Sequence, residues 1–137
     1  MGAWGQGSFD NDSALDWLSM EFEPEGASAV IAALKRVANL TDDAYLDVDD
    51  ASAAVAAAEI FAAARDGGMS RLPERLRLIA ARSQPELAEP ELALVACGAV
   101  TRVLRQSELN DLWSEDGADN PWHAEMLKLS SRLSSTP

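Results

Sequence analysis

Several residue types are scarce in this 137-residue sequence, and each scarcity argues against a class of site. Cys97 is the one cysteine and His123 the one histidine. We therefore expect no intrachain disulfide and no zinc site built on Cys and His ligands. Cys97 lies within the apolar run ALVACGAV, which predicts a small buried side chain rather than a reactive thiol.

Long apolar runs are also absent. No stretch approaches the roughly 18 consecutive apolar residues that predict a membrane-spanning helix. The N-terminus lacks the basic region and the apolar region of a signal peptide. We therefore expect a cytoplasmic protein that has no membrane partner.

Basic residues are few, since 11 Lys and Arg stand against 23 Asp and Glu, giving a formal net charge of −12. A nucleic-acid partner is not expected, because neutralising phosphates requires clustered Lys and Arg. The charge is uneven along the chain. Residues 1–50 hold eleven carboxylates against Lys35 and Arg36, a formal charge of −9. The acidic character therefore belongs mainly to the first third.

Aromatic residues make up only 6% of the chain, whereas hydrophobic residues make up 47% and alanine is abundant. This mixture favours closely packed helices over a β-sandwich. We predict one all-α domain over residues 1–137, a single compact bundle of about six helices. Residues 1–10 form a glycine-rich segment packed against the bundle, and residues 134–137 form a frayed tail.

Helical spacing of apolar residues and helix-ending signals predict where these helices lie and which face each one buries. The arginines of the fourth helix are expected to face outward. The residues expected on buried faces are Val30, Leu34 and Val37; Leu76, Ile79 and Ala80; Leu92, Val95, Ala99 and Val103; and Trp122, Met126, Leu129 and Leu133. Pro24 is expected to end the first helix, Pro85 to lie beyond the fourth, and Asp49, Asp50 or Ser52 to cap the third. The alanine-rich third helix has apolar residues on nearly every face, which predicts neighbours on more than one side. The predicted helices cover residues 10–22, 25–40, 49–66, 72–84, 90–106 and 122–133, with one or two further turns in 107–113.

The opening segment MGAWGQGSF is expected to serve packing. Gly5 and Gly7 permit positive φ angles, so the segment can fold back and bury Trp4 and Phe9 against the helices. Asn11 or Asp12 is expected to cap the first helix.

Asp10, Asp12 and Asp16 are candidate ligands of a hard cation. Asp12 and Asp16 stand four residues apart on one helix face, and carboxylates suit Ca²⁺ or Mg²⁺. The spacing is not that of an EF-hand loop. Helix capping and favourable charge at a helix N-terminus explain the same residues without any metal.

Glu59 is the one charged residue between Ala51 and Ala64. A carboxylate among alanines is an acid with a raised pKa, the mark of the one solvated strip of the helix, or the partner of an arginine. Five arginines between Arg65 and Arg82 are candidate partners. No nucleophile motif accompanies Glu59 or His123, so we predict no catalytic residues.

The acidic loop of residues 40–50 is a candidate binding surface. Its aspartates are either solvated or available to a basic partner, while Tyr45, Leu46 and Val48 are expected to anchor the loop. The candidate binding residues are Asp42, Asp43, Asp47, Asp49 and Asp50.

Three regions of the sequence resemble a bacterial family that is known as domain of unknown function 4259. The opening MGAWG with Gly7, Phe9, Asn11-Asp12, Ala14 and Asp16-Trp17 resembles its N-terminal signature. AAAEIFAA around Glu59 and SELNDLW ending at Trp113 resemble its middle and end, together with the final helix led by Trp122. The resemblance implies a small bacterial cytoplasmic protein and brings no activity or catalytic residue. The signature residues are Trp4, Gly5, Gly7, Phe9, Asn11, Asp12, Trp17, Glu59, Trp113 and Trp122.

Two functions remain open. The first is a non-enzymatic module that binds a basic protein, one form of which is a toxin-neutralising immunity protein. The second is a small carboxylate- or metal-dependent hydrolase that uses Asp10, Asp12, Asp16 and Glu59. No cofactor is expected for the first function. The scarcity of catalytic patterns favours the first function.

Overall fold

The computed structural model describes residues 12–41, 43–66, 72, 74–107 and 121–134. Within these ranges every regular element is helical, which confirms the predicted all-α bundle. The first helical stretch is continuous with a π-helical turn at Leu18–Phe22. The α-helices are α1 (Asp12–Trp17), α2 (Glu23–Glu25), α3 (Ala27–Ala38), α4 (Val48–Asp66), α5 (Glu74–Leu87), α6 (Pro90–Arg105) and α7 (Pro121–Ser134).

The alanine-rich helix α4 lies at the centre of the bundle. It contacts α1, α3, α5, α6 and α7. Ala56 to Ala58 and Ala63 are fully buried, as is the larger Phe61. The prediction of neighbours on more than one side is therefore confirmed. Alanine suits this position because it has the highest helix propensity and leaves room for other helices to approach.

The stripe predicted on α3 is confirmed. Val30, Leu34 and Val37 are buried, whereas Lys35 and Arg36 are exposed near the C-terminal end. The two basic residues lie where the helix dipole favours positive charge. Helix α3 packs against α4 and α6, so its apolar stripe faces the centre of the molecule.

Pro24 does not end the first helical stretch, contrary to the sequence prediction. It lies in α2, which continues directly from the π turn at Leu18–Phe22, so the helix passes through a position that lacks one backbone N–H. The stretch ends instead at Gly26, whose φ of 61° and ψ of −127° break the helix. The Gly26 N–H donates to the Phe22 carbonyl at 2.7 Å.

Pro85 also lies inside a helix, although we expected it beyond the end of one. Helix α5 continues to Leu87, which is buried. Proline in a helix removes one backbone hydrogen bond. Burial of the Leu87 side chain offsets that loss, since a fully buried leucine contributes about 1.5 to 3 kcal/mol. Leu76 and Ala80 are buried and Arg77 and Arg82 are exposed, as predicted, whereas Ile79 is only partly buried.

Helices α6 and α7 complete the bundle and pack against each other. On α6, Ala96 rather than Val95 occupies the buried position between Leu92 and Ala99. Cys97 is only partly buried and packs against the core, so it is less buried than the sequence predicts. On α7, Met126, Leu129 and Leu133 are buried as predicted.

Several predictions lie outside the described residues. They concern the packing of the opening segment, the N-terminal caps of the first and last helices, the turns in 107–113 and the tail after Ser134. Among the helices of the described ranges, none combines the length and the apolar character needed to cross a membrane.

Candidate functional site

An open groove of about 360 Å³ lies where α1 and the π turn meet the end of α3 and the start of α4. Carboxylates dominate its charged side chains, and Arg36 is its one basic residue among those described. We call this feature the acidic groove. It is lined by Ser13, Asp16, Trp17, Met20, Glu21, Arg36, Asp49, Asp50 and Ala53.

Two of the four carboxylates have partners. The Ser13 hydroxyl on α1 donates to Asp49 Oδ1 at 2.6 Å. Arg36 Nη1 on α3 lies 3.3 Å from Asp50 Oδ1. Because Asp49 and Asp50 are adjacent on α4, these contacts connect α1 and α3 to the first turn of the central helix.

Asp16 and Glu21 have no hydrogen-bond or ion-pair partner within the described part of the chain. Asp16 is exposed and Glu21 is partly buried. Met20 lies between them in the sequence, lines the same groove and is 74% exposed. The acidic groove therefore combines two unpaired carboxylates with an exposed, flexible apolar side chain.

The π turn explains how Asp16 and Glu21 come to line one groove. In an α-helix, residues five apart differ by about 140° around the axis. The wider π turn at Leu18–Phe22 reduces this offset and brings Glu21 toward the face that carries Asp16. Trp17 and Phe22 stack with ring centroids 5.8 Å apart on the buried side of the same turn.

The structure separates the predicted binding aspartates into different roles. Asp49 and Asp50 line the acidic groove, whereas Asp43 and Asp47 are not among its lining residues. Asp42 lies outside the described residues. Asp47 caps α4, because its Oδ1 accepts the Asp50 N–H at 2.8 Å. The predicted caps Asp49, Asp50 and Ser52 were therefore placed too late in the chain.

Asp43 is exposed and accepts a hydrogen bond from the Thr41 hydroxyl at 2.6 Å. This bond, with smaller help from the Asp43 backbone N–H and from Arg102, holds the pKa of Asp43 below its usual value. Tyr45 is 71% exposed, so it does not anchor the loop through burial as expected. Leu46 is buried and does so.

A buried arginine that the sequence analysis missed holds the acidic loop in place. Arg102 on α6 is 5% exposed. Its Nη1 donates to the Thr41 carbonyl at 2.8 Å, its Nη2 to the Ala44 carbonyl, and its Nε to the Gln106 carbonyl at 3.1 Å. The available signal was the position of Arg102 directly beside Val103 on the buried stripe of α6.

Glu59 forms an ion pair across two helices. Arg132 Nη1 on α7 lies 2.6 Å from Glu59 Oε1, and the two side chains are 19% and 13% exposed. The prediction of an arginine partner is confirmed, but this arginine lies outside the range of Arg65 to Arg82. Arg65 lies over the Phe61 ring, 5.3 Å from its centroid.

Of the three predicted cation ligands, only Asp16 has a described side chain. Asp10 lies outside the described residues, the side chain of Asp12 is not described, and Asp16 faces the acidic groove. In the described ranges there is no group of three or more His, Cys, Asp or Glu side chains that could hold a metal ion.

Of the signature residues, Trp17 and Glu59 have described side chains. Trp122 lies in α7, but its side chain is not described, and the same holds for Asp12 at the start of α1. The remaining signature residues lie outside the described ranges. They are Trp4, Gly5, Gly7, Phe9, Asn11 and Trp113.

Residues 2–125 match the family described as Domain of unknown function (DUF4259). The chain belongs to this family. The match spans α1 to α6 and the start of α7, so it includes every residue of the acidic groove. Neither the curated proteins nor the solved structures include a significant match. The description of the family states no activity.

Proposed function

We propose that this protein is a non-enzymatic interaction module whose acidic groove binds a basic segment of a partner protein. The observation that carries the proposal is the pair of unpartnered carboxylates, Asp16 and Glu21, beside the exposed Met20. Asp49 and Asp50 add two further negative charges to the same groove.

Charge complementarity supports this proposal. The groove carries four carboxylates against Arg36, and it lies in the segment of residues 1–50 that holds a formal charge of −9. A surface of one sign steers an oppositely charged partner and raises the association rate. A cationic partner would also relieve repulsion among carboxylates that lie in one groove.

Met20 supplies the apolar part of the proposed contact. Methionine is flexible and polarizable, and it is common at surfaces that bind other proteins. The aliphatic stems of Lys and Arg pack against such side chains while their charged ends reach carboxylates. A toxin-neutralising protein of the bacterial cytoplasm is one form of such a module, because a basic toxin presents the complementary charge.

Site-specific photocrosslinking from the groove tests the proposal. Met20 is replaced by photoreactive benzoylphenylalanine, and an extract of the native host is irradiated with the protein. The same replacement at Leu94 on α6, which is 77% exposed and does not line the groove, is the control. We expect an adduct from position 20 alone, with its crosslinked peptide rich in Lys and Arg.

Neutralising the unpaired carboxylates of the groove should then lower the yield of the adduct from position 20. The Asp16→Asn and Glu21→Gln double variant should reduce its yield. Glu86→Gln with Glu89→Gln changes the net charge equally at two exposed positions outside the groove and should not. Equal yields in the two double variants, or equal adducts from positions 20 and 94, would contradict the proposal.

A further inference from the structure

Among the described residues, Arg36 is the one basic side chain that lines the acidic groove. Arg36 extends from the last turn of α3 and contacts Asp50 across the groove. Their side chains are 47% and 39% exposed, and the Nη1 to Oδ1 distance is 3.3 Å. Charge-assisted hydrogen bonds of this type are commonly about 2.7 to 2.9 Å long. The contact is therefore both solvated and long, which makes it weak.

Two other arginines, Arg102 and Arg132, are more buried than Arg36 and make shorter or more numerous contacts. Arg102 is 5% exposed and donates to three carbonyl groups. Arg132 lies 2.6 Å from Glu59, and both side chains are mostly buried. Arg36 differs from both because its contact can exchange with solvent or with another cation without opening the core.

We propose that Arg36 is an internal occupant of the acidic groove and that an arginine side chain of the partner displaces it from Asp50. This inference rests on the proposed function, because it takes the groove as the docking site. Arg36 thereby sets the affinity and the specificity of the groove. A ligand must outcompete a tethered guanidinium, which disfavours single, weakly held cations.

The lining favours a guanidinium over an ammonium group. A guanidinium is planar, offers five N–H donors and is more weakly hydrated than an ammonium group. It can contact two carboxylates at once while its flat face lies against an apolar side chain such as Met20. Asp49 and Asp50 on α4 and Asp16 and Glu21 on the first helical stretch are the carboxylates that line the groove and can accept from a guanidinium. A groove of about 360 Å³ lies at the small end of ligand-pocket sizes, about 300 to 1,000 Å³.

A peptide-binding measurement tests this role of Arg36. The probes are fluorescein-labelled Gly-Arg-Gly-Arg-Gly and its lysine counterpart, and binding is followed by fluorescence polarisation. We expect Arg36→Gln to tighten binding of the arginine probe about tenfold, because the variant removes both a competitor and a like charge. Lys35→Gln is the matched control, since it removes the same charge from an exposed neighbour that does not line the groove. It should tighten binding less than about twofold.

The outcomes separate this inference from the proposed function. Equal tightening by Arg36→Gln and Lys35→Gln, or equal affinity of the two probes, would overturn the displacement of Arg36 by arginine. If Asp16→Asn with Glu21→Gln still abolishes binding in that case, the groove remains the docking site. If the neutralised double variant binds both probes as the parent does, the groove itself is not the site and both proposals fail.

Discussion

Glu59 at the middle of the alanine-rich helix α4 pairs with Arg132 on α7, with 2.6 Å between Oε1 and Nη1. The pair joins the central helix to the last one at a position where the neighbouring α4 residues Ala58 and Ile60 are fully buried. A carboxylate in such surroundings requires a partner, because an unpaired charge that is mostly removed from water is costly. The pair therefore adds a specific polar contact to the apolar packing of α7.

A double-mutant cycle measures this coupling. Glu59→Ala and Arg132→Ala should each lower the free energy of unfolding by about 1 to 3 kcal/mol, because each leaves a mostly buried charge without this partner. The double variant should lose less than the sum of the single losses. Urea denaturation gives all four values. Additive losses would show that the two residues do not stabilise each other.

Arg102 should be irreplaceable by lysine. Its guanidinium donates to the carbonyls of Thr41, Ala44 and Gln106, and an ammonium group lacks this forked geometry. We expect both Arg102→Lys and Arg102→Met to lose about 2 to 4 kcal/mol of stability. Hydrogen exchange should also accelerate in residues 43–47. A lysine variant as stable as the parent would contradict the assigned role.

The low pKa of Asp43 should depend on Thr41. Thr41→Val removes the hydroxyl that is the main cause of the shift, so the Asp43 pKa should rise toward its usual value, while Thr41→Ser should keep it low. Because the folded pKa is depressed, any contribution of Asp43 to stability is present above about pH 3.9. It is lost as the pH falls through the lowered folded value. A carboxyl NMR titration of the parent and the two variants measures the pKa of Asp43. An Asp43 pKa that is unchanged in the valine variant would show that the Thr41 hydroxyl does not cause the shift.

Two glycines should respond to alanine with opposite signs. Gly26 has a φ of 61°, and an added Cβ would lie 3.2 Å from Ser83 Oγ. Gly26→Ala should therefore destabilise by about 1 to 3 kcal/mol. Gly98 lies inside α6, where the nearest atom to an added Cβ is that of Ala38 at 3.9 Å. Gly98→Ala should stabilise by about 0.5 to 1 kcal/mol. Thermal melts of both variants test the pair.

Periodicity predicted those parts of the fold that local sequence determines. The stripe Val30, Leu34 and Val37 recurs at the helical repeat, so it identified the buried face of α3. The uninterrupted alanines of α4 likewise indicated a helix enclosed on several sides. The predicted helix ends at Pro24 and before Pro85 are wrong, because both helices continue through the proline. Proline disfavours a helix only locally, and tertiary packing can outweigh that local preference.

The acidic groove could not be predicted from local pattern. Glu21 reaches the face of Asp16 because of a π turn, which leaves no reliable trace in the sequence. The Ser13 hydroxyl meets Asp49 across 36 positions, and Arg102 meets Thr41 across 61. Such contacts follow from how whole helices pack. The sequence analysis found three of the four groove carboxylates but assigned them to two different sites.

Association kinetics with the crosslinked partner show whether the partner docks in the acidic groove. One variant neutralises the groove through Asp16→Asn, Glu21→Gln, Asp49→Asn and Asp50→Asn. A control neutralises four exposed carboxylates that do not line it, through Glu74→Gln, Glu86→Gln, Glu89→Gln and Glu91→Gln. Both variants remove four negative charges from the parent net charge of −12.

The two variants therefore have the same net charge and differ only in where the neutralised carboxylates lie. We expect the groove variant to associate at least about tenfold more slowly than the control at low salt, and we expect its association rate to depend less on salt. Equal association rates and equal salt dependence in the two variants would contradict the claim that this groove is where the partner docks.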